Sequence, residues 1–368
     1  MIPLFKVHMS STVANEIVPT LYSGWIGQGP KVAEFETALS RQFHNPRVLG
    51  LSAGTHGLHL ALHMAGVVPG DYVITTPLTC TATNWPILYQ GANILWADVQ
   101  KDTLNIDPVS VTKLANSGLP VKAIIAMHWG GYPCDLAELR LAANSMNASL
   151  IEDAAHAFGS RYGQMNIGHC EFSDFTMFSF QAIKLLTCGD GGALVCKSEE
   201  SYKRGKLLRW YGIDRETNRK DMRCEENIIE WGWKYHMNDI AATIGLENIK
   251  DLKNLLSTNT ENAFRYDMDL QDIDGLTLIQ RGTDRQSSNW LYTILVENRD
   301  DFTRWMTECQ IHVSRVHERN DIHSCVFNYK TELPVLDEVV PKMVCIPVGW
   351  WVAKDDREYI VECIKKGW

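Results

Sequence analysis

Hydrophobic positions along this chain fall into short, nearly continuous runs, separated by longer stretches with helical spacing of apolar and polar residues. The runs RVLGLS (47–52), DYVITTP (71–77), NILWADV (93–99), KAIIAMHW (122–129), SLIEDAA (149–155), DFTMFSF (174–180) and GALVC (192–196) read as strands. Between the first two, LHLALHMAG offers Leu58, Ala61, Leu62 and Met64 for packing as a helix would. Such alternation predicts the α/β class, a mostly parallel sheet sandwiched by helices, with ligands on the loops at the carboxyl ends of the strands. After about residue 250 the pattern changes. A helical stretch, IKDLKNLLSTNTENAFRYDMDL, leads to the strand-like runs NWLYTILVE and KMVCIPV with helices between them. The expected organisation is a large domain over 1–250 and a small C-terminal α+β domain over 251–368.

Composition narrows the function classes. With 368 residues, 45% of them hydrophobic, the chain can bury a large core. Lys and Arg number 35 against 44 Asp and Glu, a net charge of −9, which argues against a nucleic-acid surface. Ten cysteines (80, 134, 170, 188, 196, 224, 309, 325, 345, 363) contain no CxxC pair, so neither a metal site nor a disulfide framework is expected. The start, MIPLFKVHMSSTV, lacks a charged region followed by an apolar one, and no apolar run reaches membrane-spanning length. A cytoplasmic location with no membrane partner is the expectation.

Several strand ends carry chemistry that suits one cofactor. SLIEDAAHAFGS ends its apolar run in Glu152 and Asp153, with His156 one turn later. An acid at a buried sheet end is costly without a cationic partner, although an acidic helix cap would account for it equally well. FSFQAIKLLTCGDGGALV places Lys184 after the next strand, so both residues can reach the same edge. A lysine in a semi-apolar loop can form a Schiff base, because burial favours its neutral, nucleophilic form; a solvated lysine is the ordinary alternative. Ser179 offers a hydroxyl, and Gly189-Asp190-Gly191-Gly192 a tight turn. Upstream, LGLSAGTHGLHLAL reads as a strand, a glycine turn and a helix whose first amides, at Gly54, Thr55 and His56, form an anion cradle. An amine, an acid, and a phosphate cradle are what pyridoxal phosphate requires.

On IPLFKVHM, GWIGQGPKVAEFE, SAGTHGLHLAL, PLTCTATN, GANILWADVQKDTLNID, IEDAAHAFGS, FSFQAIKLLTCGDGGALV, WGWKYHMNDIAATIGLENI and VHERNDIH, the chain resembles the DegT/StrS-type sugar aminotransferases, fold-type I pyridoxal phosphate enzymes that aminate nucleotide-linked keto-sugars. The resemblance implies that Lys184 carries the cofactor as a Schiff base and that Asp153 pairs with its ring nitrogen. His156 occupies the position beside the phenolic oxygen, unless it is a satisfied core histidine. Ser179, Thr55 and the His56 amide would hold the phosphate, joined by Lys234 of the partner subunit in a homodimer with shared active sites; otherwise Lys234 is a surface residue. Two positions depart from the family pattern. Cys80 stands where many relatives stack an aromatic ring, and Gln181 where many have histidine.

The resemblance further implies a ping-pong transamination, with L-glutamate as donor and a nucleotide-diphosphate 4-keto-6-deoxyhexose as acceptor. The VHERND run (316–321) and GWIGQG loop (24–29) resemble enzymes that aminate C4, of the viosamine and perosamine kind. Trp25, Gln28, His317 and Arg319 are then sugar-site candidates, with packing or surface roles equally open. The alternatives are a C3 sugar aminotransferase, a dehydratase on the same fold, whose family has histidine in place of the lysine, and a non-catalytic cofactor-binding protein, which would have lost Lys184 or Asp153.

Overall fold

All seven apolar runs of the first 200 residues become strands of one sheet in the computed structural model, which describes residues 1–216, 221 and 227–368; Cys224 lies outside the described residues. In chain order the strands are β1 (Val48–Leu51), β2 (Tyr72–Thr75), β3 (Asn93–Trp96), β4 (Val121–Met127), β5 (Ser149–Asp153), β6 (Arg161–Tyr162) and β7 (Met165–Asn166). They continue with β8 (Phe175–Ser179), β9 (Gly192–Cys196), β10 (Leu276–Leu278), β11 (Arg285–Gln286), β12 (Tyr292–Val296) and β13 (Met343–Ile346). The large sheet runs β1-β9-β8-β5-β4-β2-β3. Its central strands are continuous Val, Ile, Leu and Ala runs because both faces are covered by helices.

One strand runs against the rest. β9 is antiparallel to both β8 and β1, whereas β5–β8, β4–β5, β2–β4 and β2–β3 are parallel. The connection 180–191 contains no helix, and the chain turns back beside the strand it has just left. Ser179 therefore pairs with Gly192, and the loop carrying Lys184 sits over the carboxyl end of β8, next to the end of β5. Gly192 makes this arrangement possible. A Cβ there would stand 2.6 Å from the Gly54 nitrogen and 2.7 Å from the Ala53 carbonyl carbon, so any side chain would push the loop off the helix Gly54–Met64.

The WGWKYHMND motif has a structural task as well. Asn238 caps its own helix, Asp239–Asn248, by accepting the Ala241 N–H at 2.8 Å. Buried Asp239 accepts N–H groups from Gly29 (2.7 Å), Val32 (3.1 Å) and Lys31 (3.1 Å), capping the helix Pro30–Phe43 from outside it. The motif thereby pins the GQGP loop.

A second apolar cluster includes Tyr266, Tyr292, Ile294, Phe302, Val344 and Ile360, around the antiparallel sheet β10-β12-β13. Contacts cross residue 250 in both directions. Trp290, Leu291, Val326, Leu336 and Met343 belong to the larger core, β11 pairs with β6, and Ile2 bridges to Ile311. Polar links join the two parts: Trp129 Nε1–H donates to Thr293 Oγ1 (3.0 Å), Asn84 Nδ2 donates to Asn320 Oδ1 (2.8 Å), and Asn320 Nδ2 donates to the Thr79 carbonyl (2.8 Å). Among the described residues, no helix is long and apolar enough to cross a membrane.

Candidate active site

The carboxyl ends of β5 and β8, the start of the helix Gly54–Met64 and the loop 180–191 enclose a cavity of about 330 Å³. Its lining includes Lys184, Asp153, His156, Ser179, Gly54, Thr55, Cys80 and His317. Residues far apart in the chain meet here because parallel strands deliver their carboxyl ends to one edge.

The Lys184 amine is pulled down to about 8, chiefly by burial, with Asp153 opposing the shift. About a tenth of the amine is therefore neutral at pH 7, far more than an ordinary lysine offers, and the neutral form is the nucleophile. Asp153, 2% exposed, is pushed upward by burial and held towards its charged form by hydrogen bonds. The Thr83 hydroxyl donates to one of its oxygens at 2.6 Å, and the Ala155 N–H to the other at 3.0 Å. Behind it, on β5, Glu152 faces a separate buried network. The Cys134 N–H donates to His128 Nδ1 (3.0 Å), which leaves the His128 proton on Nε2 to donate to Glu152 (2.9 Å). Thr176 Oγ1 (2.9 Å) and Ser173 Oγ also donate to Glu152. The adjacent acids thus divide their work: Glu152 ties the sheet together and Asp153 faces the cavity.

His156 and His317 line one side, their rings stacked at 5.6 Å and 9°. Burial, reinforced by Lys184, drives the His156 pKa well below its ordinary value, and the same causes lower His317 to about 4. Both are neutral at pH 7. His156 Nδ1 and His317 Nε2 are buried without hydrogen-bond partners, so each has unused capacity towards a ligand. On the opposite side Ala53 gives the helix no side-chain cap, leaving the first-turn amides of Gly54, Thr55 and His56 to an acceptor from outside. The His56 ring points elsewhere: it bonds to Ser52 Oγ (2.9 Å) and stacks on Tyr235 at 4.0 Å.

The other candidates are placed differently. Arg319 is not free to reach a sugar or diphosphate. It donates to Asp321 at 2.7 and 2.6 Å and to Asp337, so it braces the 316–321 run. Asn320 anchors that run to residues 77–84, and His317 alone of VHERND lines the cavity. Trp25 is exposed and Gln28 lines another cavity, with Trp210 and Arg215; neither meets Lys184 within this chain. Lys234 is exposed and lies outside the Lys184 cavity, bridged through its backbone to Trp210. Sequence reasoning missed Thr83, although a threonine one turn after Thr79 in the same TCTATN run was a visible signal. It also missed Trp290, inside the NWLYTILVE run and two positions before β12 begins.

Pyridoxal phosphate suits this donor set: a partly neutral amine for its aldehyde, a carboxylate for its ring nitrogen, unpaired imidazole nitrogens and unsatisfied helix amides for its oxygens. The fold and the cavity define the class, a fold-type I aminotransferase that works with pyridoxal phosphate. The chain belongs to the DegT/DnrJ/EryC1/StrS aminotransferase family, whose profile matches residues 8–365. It is 42% identical to the sugar aminotransferase CalS13 of Micromonospora echinospora, with a TM-score of 0.94 and full coverage of both chains. It is 31% identical to the Bacillus subtilis spore coat polysaccharide biosynthesis protein SpsC, over 95% of this chain and 93% of that protein. Streptococcus pneumoniae Spr1654 in its PLP form superimposes with a TM-score of 0.89 at 26% identity, over 99% of this chain and 98% of that one. The protein is a sugar aminotransferase.

Proposed function

We propose that the enzyme moves an amino group from L-glutamate to C4 of a nucleotide-linked 4-keto-6-deoxyhexose, giving a 4-amino-4,6-dideoxysugar and 2-oxoglutarate. The observation that carries the chemistry is the meeting of a depressed-pKa Lys184 and a buried Asp153 in one cavity. When bound, pyridoxal phosphate supplies an electron sink that makes the hydrogen next to the transferred nitrogen acidic. Lys184 holds the aldehyde between turnovers, then takes that proton from the donor carbon and later delivers one to the sugar carbon. Asp153 holds the ring nitrogen in its charged form, Thr55 and Ser179 take the phosphate with the helix amides, and His156 bonds the ring oxygen. Neutral His317 offers a hydrogen bond to the sugar. C4 rather than C3 is supported by the resemblance of the VHERND and GWIGQG runs.

The active site is shared between two copies. Among the described residues lining the cavity, Lys184 is the only lysine or arginine, yet a phosphate and a dicarboxylate must be held there. Lys234 and Gln28 sit outside it, and Val18, Leu21, Tyr22, Trp25 and Ile26 form an exposed apolar run suited to a partner. Lys234 of the partner subunit then completes the phosphate site. Mixing inactive Lys184→Ala with weakened Lys234→Ala subunits is expected to restore activity, to about a quarter of intact sites at full exchange. No gain on mixing rejects the sharing.

The acceptor is tested by loading the enzyme with glutamate, removing the glutamate, and adding UDP-, GDP- and dTDP-linked 4-keto- and 3-keto-6-deoxysugars. Amination of a 4-keto-sugar alone, at C4 by NMR of the product, is the expected result. Turnover with a 3-keto-sugar alone moves the assignment to C3, and dehydration without nitrogen transfer rejects transamination.

A further inference from the structure

Lys184 makes one contact that none of these roles uses. Its Nζ lies over the indole of Trp290, 3.7 Å from the ring centroid. Trp290 is 5% exposed and is held in place by several groups. Its Nε1–H donates to the carbonyl of Ile183, the residue before the lysine, at 2.9 Å. Phe5 stacks on the indole at 5.1 Å and 22°, and His156 packs against it at 4.0 Å. Phe5 is in turn fixed by a strap at the start of the chain. The Ile2 N–H donates to the Gln310 carbonyl (2.8 Å), the His312 N–H to the Ile2 carbonyl (3.0 Å), and Trp351 Nε1–H to the Pro3 carbonyl (2.8 Å).

A lysine that serves both as cofactor anchor and as proton carrier must leave its bond twice per cycle and return to the same place. Its four-carbon stem is flexible, and a free amine in a cavity with no fixed partner would sample many rotamers. The negative face of an indole attracts an ammonium group without forming a bond that must later be broken. We propose that Trp290 is a positioning residue for transamination: its indole face is the resting seat of the Lys184 amine whenever that amine is not bonded to the cofactor, and Phe5 with the strap at residues 2–5 keeps the seat in register. The proposal rests on Lys184 being the cofactor anchor. The charged and titratable groups that face the amine across the cavity are Asp153, Cys80, His156, His317 and Asp190. Asp153 and Cys80 favour its charge, as the indole does, while burial opposes it.

The seat is read in the cofactor-free protein, with lysine labelled with 13C at Cε and the Lys184 signal identified by its loss in Lys184→Arg. The expected wild-type result is a Hε resonance displaced upfield by the indole ring current, titrating near about 8. Trp290→Leu keeps an apolar wall and removes the π face, so the signal should return to the ordinary lysine position and its midpoint should fall by about one pH unit. Trp290→Phe should retain part of the displacement, and in the loaded enzyme should lower kcat severalfold with little change in KM for glutamate. A wild-type Lys184 signal without upfield displacement overturns the proposal whether or not any variant folds. An unchanged signal and midpoint in folded Trp290→Leu overturns it as well. Adding pyridoxal phosphate to the wild type should abolish the free-lysine signal. Its persistence would overturn the anchor reading and is distinguishable, because the ring-current signature itself would remain.

Discussion

Lys184→Ala is expected to reduce 2-oxoglutarate formation from glutamate and a keto-sugar by at least about 10⁴-fold, since both the covalent anchor and the proton carrier are lost. The far-ultraviolet circular dichroism should not change, because the amine faces a cavity and the Trp290 indole, which Phe5 and the Ile183 carbonyl hold without it. The visible absorbance that wild-type protein acquires with pyridoxal phosphate should disappear. In the wild type, uptake of the aldehyde by cofactor-free protein should accelerate as pH rises towards about 8 and level off above it. The sign follows from the nucleophile being the neutral amine, whose fraction grows until the pH passes its pKa. A variant that transaminates at the wild-type rate would remove Lys184 from the mechanism.

Asp153→Asn should be the next most damaging change. Asparagine matches the carboxylate in size and can accept the Ala155 N–H while its NH₂ donates to the Thr83 oxygen, but it brings no charge to the cofactor ring nitrogen. We expect kcat to fall about 10²–10³-fold, by loss of preorganised electrostatic stabilisation, with the fold retained. Asp153→Glu keeps the charge on a longer arm and should recover only part of that loss. Stopped-flow measurement of the glutamate half-reaction separates this effect from sugar binding. A rate within twofold of wild type for Asp153→Asn would show that the ring nitrogen does not depend on this carboxylate.

These residues were legible in the sequence because each lies on, or one turn beyond, a strand end, where the order of elements alone brings side chains together. Lys184, Asp153, His156 and the Gly54–His56 turn needed only local pattern and the rule for parallel sheets. The reversal of β9 was not legible, because GALVC reads alike in either direction and the loop before it, about a dozen residues, lies at the lower limit for a crossover and decides nothing. The bracing role of Arg319 was not legible for a different reason. An arginine in a conspicuous motif looks available until its acidic partners are seen, and Asp337, eighteen positions on, gives no local sign of pairing with it. Trp290 and Phe5 are nearly three hundred positions apart, and their stack beneath Lys184 depends on the strap joining Ile2 to Ile311. Periodicity carries no information about such a contact.

The Asn320 clamp has a consequence for how substrate enters. Asn320 is fully buried and bonded to both Asn84 and the Thr79 carbonyl, while Arg319 braces the same turn and Trp129 reaches across to Thr293. Many enzymes shut out water by swinging one lobe over the substrate about a hinge. Here a swing of that kind would tear buried amide pairs from their partners, each costing about 1–3 kcal/mol unless replaced. The two cores of this aminotransferase are therefore locked together before substrate arrives, and the seal over the sugar has to be made by side chains and, in the proposed dimer, by the second subunit, not by movement of the C-terminal core.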